Sequence, residues 1–149
     1  MESTTLLWQL RKLSLALEQY TRTLSCGDLT PTQALLLYCL LVENRSGFCA
    51  SELHASLGLS KATLSSLLRE LERKGYLTTQ PDPRDDRKKR LSLTESAHAR
   101  APELERMMRD WEESLYRGLD ETRRRRLAAD LELLLHNVRQ EITRRTETT

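Results

Sequence analysis

Apolar residues recur at helical spacing near both ends of the chain. In the first segment, Leu6 to Leu24, the gaps between them alternate between four and three residues, which is a heptad pattern and predicts an amphipathic helix. The stretch Cys26-Gly27-Asp28 then ends this helix. A second apolar stripe, from Leu127 to Ile142, predicts a last helix that begins after Asp120. The chain is therefore expected to open and close with long amphipathic helices.

Next along the chain comes a helix that is apolar on nearly every side. Thr30 suits its N-cap, Pro31 its first position and Gln33 its third, an arrangement known as a capping box. The run that follows, ALLLYCLLVE, is apolar almost all round, so we expect this helix to lie at the centre of the domain. Residues 44–47 are predicted to end it.

The following segment predicts two helices joined by a tight turn. A short helix covers Ala50–Leu57, and Gly58-Leu59 forms the turn. Ser60 then caps a longer helix, which Gly75 closes. This order of short helix, glycine turn and second helix is the helix-turn-helix layout.

A hairpin is predicted directly after the second of these helices. Tyr76–Thr79 and Leu91–Leu93 have the composition and alternation of short strands, and Pro81–Arg90 is predicted to be a charged loop between them. A further helix is expected to begin at Thr94 and to extend to about Leu119.

The outward face of the second helix carries short polar and basic side chains. A helix that enters a DNA major groove, about 12 Å wide, favours small hydroxyl side chains near its N-terminus, and a basic residue further along can reach a phosphate or a guanine. The alternative interpretation is that these residues only cap and solvate a surface helix. The candidate DNA-binding residues of this face are Ser60, Lys61, Thr63, Ser65, Ser66 and Arg69.

Positive charge is concentrated in the middle of the chain. The net charge is only +2, but residues 61–90 carry nine basic and five acidic side chains, and the segments on either side are close to neutral. An ordered arginine at a hairpin tip can insert into a narrow minor groove, whereas a run of solvated charge is the alternative. The basic residues of the hairpin are Arg84, Arg87, Lys88, Lys89 and Arg90, interspersed with Asp82, Asp85 and Asp86.

These segments resemble the MarR family of winged-helix regulators. The stretch from Ser51 to Leu77 is similar to the family's helix-turn-helix core, and Asp85–Glu95, with DDR followed by LSLTE, looks like its wing and exit strand. The resemblance implies that Arg87 is the wing-tip arginine in the minor groove and that Asp85 orients it. The chain departs from the family pattern at residues 79–80, where many relatives carry arginine. By the resemblance, the recognition helix presents Lys61, Ala62, Thr63, Ser65, Ser66 and Arg69.

The predicted fold class is mainly α, with a winged helix-turn-helix DNA-binding region and a small β-hairpin wing over residues 29–94. Residues 1–28 and 95–149 are predicted to form a helical dimerisation region, because the family dimerises by interleaving its first and last helices. Two recognition helices about 34 Å apart also suit a DNA site with two-fold symmetry. The alternative is that both apolar stripes complete the core of a monomer. The predicted dimerisation residues are Leu6, Leu10, Leu13, Leu17, Leu131, Leu134, Val138 and Ile142.

Together these features predict a transcriptional regulator that binds specific double-stranded DNA as a homodimer on a palindromic operator. The resemblance implies a ligand-responsive repressor that releases DNA when a small aromatic effector binds. Some relatives use an oxidised cysteine instead, so Cys26 is a candidate redox residue, and a buried unreactive cysteine is the alternative. A winged-helix protein-interaction module without specific DNA binding is the alternative function, against which Lys61, Arg69 and Arg87 argue.

Several other classes of protein are not supported by the sequence. It has no glycine-rich phosphate loop, zinc-protease motif or nucleophile elbow, so we predict neither an enzyme nor a cofactor. The three cysteines and three histidines lack the close spacing of metal ligands, so no metal site is predicted. No apolar stretch reaches the roughly 18 residues that span a bilayer, and no export signal is visible. We therefore expect a cytoplasmic protein with no membrane partner.

Overall fold

The computed structural model describes residues 2–43 and 48–148, and the chain divides into two compact units. The first unit is Met1–Arg106 and the second is Met107–Thr149. Most of the described chain is helical, and a small antiparallel sheet interrupts the helices in the first unit. The predicted fold class, mainly α with a winged helix-turn-helix, is confirmed.

Six helices and three strands follow one another along the described residues. The helices are α1 (Glu2–Arg22), α2 (Pro31–Glu43), α3 (Ala50–Leu57), α4 (Lys61–Arg73), α5 (Glu95–Leu115) and α6 (Glu121–Glu147). The strands are β1 (Phe48–Cys49), β2 (Leu77–Asp82) and β3 (Asp85–Leu93). In the part of the chain that the structure describes, no helix has the length and apolar character needed to span a bilayer.

The helices begin where local hydrogen bonds favour a start. At α2, the Gln33 backbone N–H donates to Thr30 Oγ1 at 3.3 Å, and the Thr30 N–H donates back to Gln33 Oε1 at 3.1 Å, so the predicted capping box is confirmed. At α6, Asp120 Oδ1 accepts from the Arg123 N–H at 2.8 Å. The predicted end of α2, at residues 44–47, lies outside the described residues.

Leucine supplies most of the core of the first unit. Helix α2 is central to it, as its apolar composition predicts, and α3, α4, the start of α5 and the sheet also contribute. A core built from side chains this deeply buried supplies most of the stability of a small domain, because burial removes their apolar surface from water. The most deeply buried large side chains are Phe48, Leu37, Leu40, Leu53, Leu64, Leu71, Leu77 and Leu104.

The sheet contains one strand that the sequence pattern missed. Its order is β1-β3-β2, and both pairings are antiparallel. Phe48 of β1 lies opposite Leu91 of β3 and is 1% exposed, so this short strand ties the base of the hairpin to the core. A strand of two residues is too short to show the alternation that identifies strands in a sequence.

The prediction of a charged loop over Pro81–Arg90 is wrong. Strand β2 extends to Asp82 and β3 begins at Asp85, so only Pro83 and Arg84 form the tip of the hairpin. The side chains of β3 before Leu91 are exposed on both faces, so the apolar and polar alternation of a half-buried strand is absent there. Backbone pairing between β2 and β3 keeps this part of the hairpin extended.

Helix α6, in the second unit, has an apolar stripe that nothing in the described chain covers. None of its described residues is buried, and Leu131, Val138 and Ile142 are 37%, 57% and 57% exposed. The helix before it, α5, ends at Leu115, earlier than predicted, and Gly118 turns the chain with φ +87°.

Candidate nucleic-acid interface

Two local features fix the turn between α3 and α4. Gly58 adopts a left-handed conformation at the C-cap of α3, with φ +67°, which is costly for a residue that has a Cβ. Ser60 then caps α4, since its Oγ accepts from the Thr63 backbone N–H at 3.1 Å and donates to Thr63 Oγ1 at 2.8 Å. The predicted turn and cap are confirmed, and they determine where α4 begins.

The two faces of α4 differ in burial. Leu64, Leu68 and Leu71 are 2%, 5% and 0% exposed and pack into the core. The opposite face offers hydroxyl groups and cations to solvent, as a helix that reads a major groove requires. Each predicted DNA-binding residue of the helix and its cap is exposed: Ser60, Lys61, Ala62, Thr63, Ser65, Ser66 and Arg69.

Two of the basic side chains on α4 are not neutralised by a carboxylate. Arg73 pairs with Glu70 at 2.8 Å, and its hydrogen bond holds the pKa of Glu70 below its usual value. Lys61 and Arg69 form no ion pair within the described ranges, and Arg69 makes only a long contact of 3.4 Å with Ser65 Oγ. Their charge is therefore available to a polyanion.

The arm of the hairpin contains a bulge at the predicted wing arginine. Pro81 lies opposite Lys89, but the next pair is Asp82 and Asp85, so residues 86–88 of β3 have no partner in β2. A bulge bends a strand and redirects its side chains. Its middle residue is Arg87, so the fold projects this side chain from an irregular point on the arm.

Two aspartates stiffen the wing through its backbone. Asp82 Oδ1 accepts from the Arg84 N–H at 2.8 Å, and Asp85 Oδ1 accepts from the Arg87 N–H at 3.0 Å. These are Asx turns, which favour a defined loop conformation. Asp85 therefore contacts the main chain of Arg87, and the wing guanidinium groups form no ion pair with any described residue. The exposed cations of the wing are Arg84, Arg87, Lys88, Lys89 and Arg90.

An open cavity of about 480 Å³ between α3 and α4 adds a residue that sequence reasoning missed. His54 lines it together with Lys61 and Ser65. The Nδ1 atom of His54 donates to the carbonyl of Leu59, so the neutral ring keeps Nε2 as an acceptor. A single histidine on a short helix gives no recognisable spacing signal, and only the packing of α3 against α4 brings it beside the recognition face.

The predicted dimerisation residues lie on two helices that belong to different units. On α1, Leu6 and Leu13 are 55% and 45% exposed, whereas Leu10 and Leu17 are half-buried. On α6, all four are exposed: Leu131, Leu134, Val138 and Ile142. Both stripes therefore present apolar surface that the described chain leaves open.

The candidate redox residue lies inside the first unit. Cys26 is 4% exposed, and burial raises the pKa of its thiol, partly offset by the charge of Arg100. A protonated, buried thiol is a poor nucleophile, so this environment favours the alternative of a small packing residue. Among the described residues, no group of three or more His, Cys, Asp or Glu side chains is arranged to hold a metal ion.

The chain is similar to known regulators over its central part. Residues 27–88 match the model of the MarR family. The HTH-type transcriptional regulator SarZ of Staphylococcus haemolyticus (strain JCSC1435) is 32% identical over 80 residues, which cover 54% of this chain and 53% of SarZ. The chain thus spans about half the length of the curated relatives it matches.

Solved structures resemble a larger part of the chain. The S. aureus MepR–DNA complex superposes with a TM-score of 0.74 at 25% identity, covering 88% of this chain and 94% of MepR. S. aureus MepR in its DNA-binding conformation gives a TM-score of 0.75 at 26% identity, with 88% and 96% covered. The helical order and the wing are therefore shared with proteins of this fold well beyond the central match.

Proposed function

We propose that the chain is a transcriptional regulator of the MarR family of winged-helix proteins and that it binds specific double-stranded DNA. One observation carries the proposal: an exposed α4 face of hydroxyl groups and unneutralised cations is joined, in the same unit, to a stiffened wing with five exposed basic side chains. Both kinds of surface are what a winged helix uses on DNA. The complex of MepR with DNA supports the proposal by similarity.

Each part of this surface has its own role in the proposal. Ser65, Ser66 and Arg69 read base edges in the major groove, and Lys61 contacts a phosphate. Arg87, on the bulge, enters the minor groove, where its positive charge is favoured by the narrow walls of A·T-rich DNA. The other wing cations contact phosphates and add affinity without sequence preference. His54 joins the edge of the interface from the α3 side.

The regulator acts as a homodimer in this proposal. The apolar stripes of α1 and α6 support it, because each leaves leucine or valine side chains 37–57% exposed, and an apolar stripe of this kind marks an interaction surface. A two-fold dimer matches a palindromic operator, whose half-sites lie about 34 Å apart.

We further propose that a small aromatic effector lowers the DNA affinity of this repressor. A cavity of about 100 Å³ between α2 and α5, lined in part by Tyr38 and His98, offers an apolar and polar mixture suited to such a molecule. Ligand sites usually measure about 300–1,000 Å³, so binding there requires the cavity to open. Addition of benzoate or a hydroxybenzoate should then raise the melting temperature and lower the DNA affinity together.

The function is tested by fluorescence anisotropy with the DNA upstream of the protein's own gene and with a scrambled duplex, over a salt series. We expect tighter binding to the upstream DNA. Arg87→Ala should weaken this binding by about 1–3 kcal/mol, whereas Lys88→Ala should weaken binding to both duplexes and reduce the salt slope by about 1.

Arg109→Ala is the matched control, because it removes one exposed arginine from α5 and leaves α4 and the wing intact. It should bind like the wild type. Equal, weak binding of the wild type to both duplexes, unchanged by Arg87→Ala, would contradict the proposal and favour the protein-interaction module.

A further inference from the structure

A partly buried polar cluster lies outside the proposed DNA-binding surface, and Arg100 is at its centre. The Arg100 side chain is 17% exposed. Its Nη1 donates to Asp28 Oδ1 at 2.6 Å and to the Tyr76 hydroxyl oxygen at 2.7 Å, and its Nη2 donates to the Cys26 carbonyl at 2.9 Å. Its Nε donates to Glu103 at 2.9 Å. The planar guanidinium group of Arg100 thus donates hydrogen bonds in several directions at once, which no other side chain can do.

The cluster joins three parts of the first unit that are distant in sequence. Asp28 lies in the turn between α1 and α2, Tyr76 follows α4 directly, and Arg100 lies in α5. The Tyr76 hydroxyl also donates to both carboxylate oxygens of Asp28 at 2.9 Å. Lys74, the C-cap of α4, donates to the Asp28 carbonyl and to Gln33 Oε1. We name these residues (Asp28, Gln33, Lys74, Tyr76 and Arg100) the Arg100 joint.

The end of α4 is held from the other side as well. Thr94, which caps α5, donates through its hydroxyl to the Gly75 carbonyl at 2.6 Å and through its N–H to the Tyr76 carbonyl at 3.1 Å. Gly75 has φ +86°, and among the described residues nothing lies within 4 Å of where its Cβ would be. Hydrogen bonds from Thr94 thus join the residues that follow α4 to the start of α5.

At neutral pH, the ionisation states of Asp28 and Tyr76 favour the hydrogen bonds of the Arg100 joint. Burial opposes ionisation of Asp28, but hydrogen bonds from Tyr76 and Arg100 hold the pKa of its carboxyl below the usual value. Burial and the hydrogen bond to Asp28 raise the pKa of Tyr76, so its hydroxyl stays a donor. A fully connected network of this kind is rigid, because each member loses a partner if another leaves.

We propose that the Arg100 joint is a positioning device that sets the direction of α4 against α5, so that Arg100 controls DNA specificity without contacting DNA. This proposal rests on the proposed function. The Arg100 side chain is 17% exposed, and its guanidinium donates to Asp28, Tyr76 and Cys26 of its own chain. Base contacts depend on placement within about 0.5 Å, so a small change in the direction of α4 loses base readout before it loses phosphate attraction.

The first experiment measures the ratio of affinities for the upstream and the scrambled duplex. It compares Arg100→Gln, Arg100→Lys and Tyr76→Phe at a temperature at which far-UV circular dichroism shows each variant folded. We expect each variant to lower the ratio by about tenfold, with little change in binding to the scrambled duplex. Lysine keeps the charge but not the fork, so it should not rescue. Arg106→Gln, an exposed arginine on the same helix, is the control and should keep the wild-type ratio.

The second experiment needs no DNA. Amide hydrogen exchange of the free protein should speed up at Tyr76 and Thr94 in the Arg100→Gln variant and not in Arg106→Gln. If Arg100→Gln does not fold, Tyr76→Phe, which removes one oxygen atom, takes its place. An unchanged specificity ratio together with unchanged exchange would overturn the proposal while the proposed function stands.

If the wild type itself does not prefer the upstream duplex, the proposed function has failed. Amide hydrogen exchange and a double-mutant cycle then test whether the Arg100 joint exists. Asp28→Asn and Arg100→Gln should then be non-additive in the free energy of unfolding, because their side chains are hydrogen-bonded. Additive effects with normal exchange at Tyr76 would show that no such joint exists.

Discussion

Helices α4 and α6 carry similar apolar stripes, yet only one of them is buried within the chain. Leu64 and Leu71 of α4 are 2% and 0% exposed, whereas Leu134 and Val138 of α6 are 40% and 57% exposed. Both helices are capped at the N-terminus by a side-chain oxygen, so the contrast does not arise from helix formation itself. It arises from what lies opposite the stripe.

The difference shows that an apolar stripe specifies burial but not the partner that provides it. The stripe of α4 meets α2, α3 and the sheet, all within the first unit. The stripe of α6 meets no covering element in the described chain. Apolar surface of this extent is costly in water, and we propose that a second copy of the chain covers the stripe of α6.

The largest expected effect separates the two stripes by their dependence on protein concentration. Leu71→Ala should lower the free energy of unfolding by about 2–5 kcal/mol at every concentration, because the cavity lies inside one chain. Leu134→Ala should have an effect that shrinks as the protein is diluted, because in the monomer there is no interface left for it to weaken. Urea titrations at several protein concentrations measure both, and a concentration-independent loss for Leu134→Ala would contradict the proposed role of α6.

The next effect distinguishes the stripe of α6 from the rest of the same helix. Val138 and Leu133 are 57% and 59% exposed but lie on different faces of the helix. Val138→Asp should weaken dimerisation by more than about tenfold, since it places a charge in an apolar interface. Leu133→Asp is the control and should leave the sedimentation profile unchanged. Equal loss of dimer in both variants would show that the stripe is not the interface.

Features decided by neighbouring residues were predicted well from the sequence. The capping box of Thr30 and Gln33, the cap Ser60 and the start of α6 after Asp120 depend on groups within one helical turn, and each is in place. The left-handed Gly75 at the end of α4 follows from the same local rules.

Features decided by distant residues were missed. Strand β1 exists because Phe48 pairs with Leu91. The two strands of the wing stay extended because their backbones pair, although the side chains on both faces of the hairpin are solvated there. The Arg100 joint needs Asp28 and Tyr76 at the same place as Arg100, although 72 and 24 residues separate them from it. A single sequence carries no periodic signal for such contacts.

A smaller effect compares the two caps. Ser60→Ala and Asp120→Ala each remove an oxygen that accepts from the helix, so each should cost about 1 kcal/mol in the free energy of unfolding. Only Ser60→Ala should also weaken binding to the upstream duplex, because only α4 is proposed to enter the groove. Calorimetry and anisotropy on the same preparations test this, and loss of DNA binding by Asp120→Ala alone would reverse the assignment.

The smallest effect concerns acid sensitivity and contrasts a carboxylate of the joint with one on α6. The pKa values of Asp28 and Glu141 both lie below their usual values, the first because hydrogen bonds outweigh burial, the second because Arg144 and Arg145 donate to it. A carboxyl group whose pKa is lower in the folded state stabilises that state fully at a pH above its pKa in the unfolded chain, about 4. This stabilisation is lost as the pH falls through the lower pKa of the folded state. Asp28→Asn should therefore reduce the loss of stability between pH 5 and pH 2, by less than about 1 kcal/mol because the Asp28 side chain is 50% exposed. Glu141→Gln should not change it measurably, since its pairs are local and solvated. Identical acid profiles for wild type and Asp28→Asn would mean that the joint is open in solution, and α4 would then be held by its apolar stripe alone.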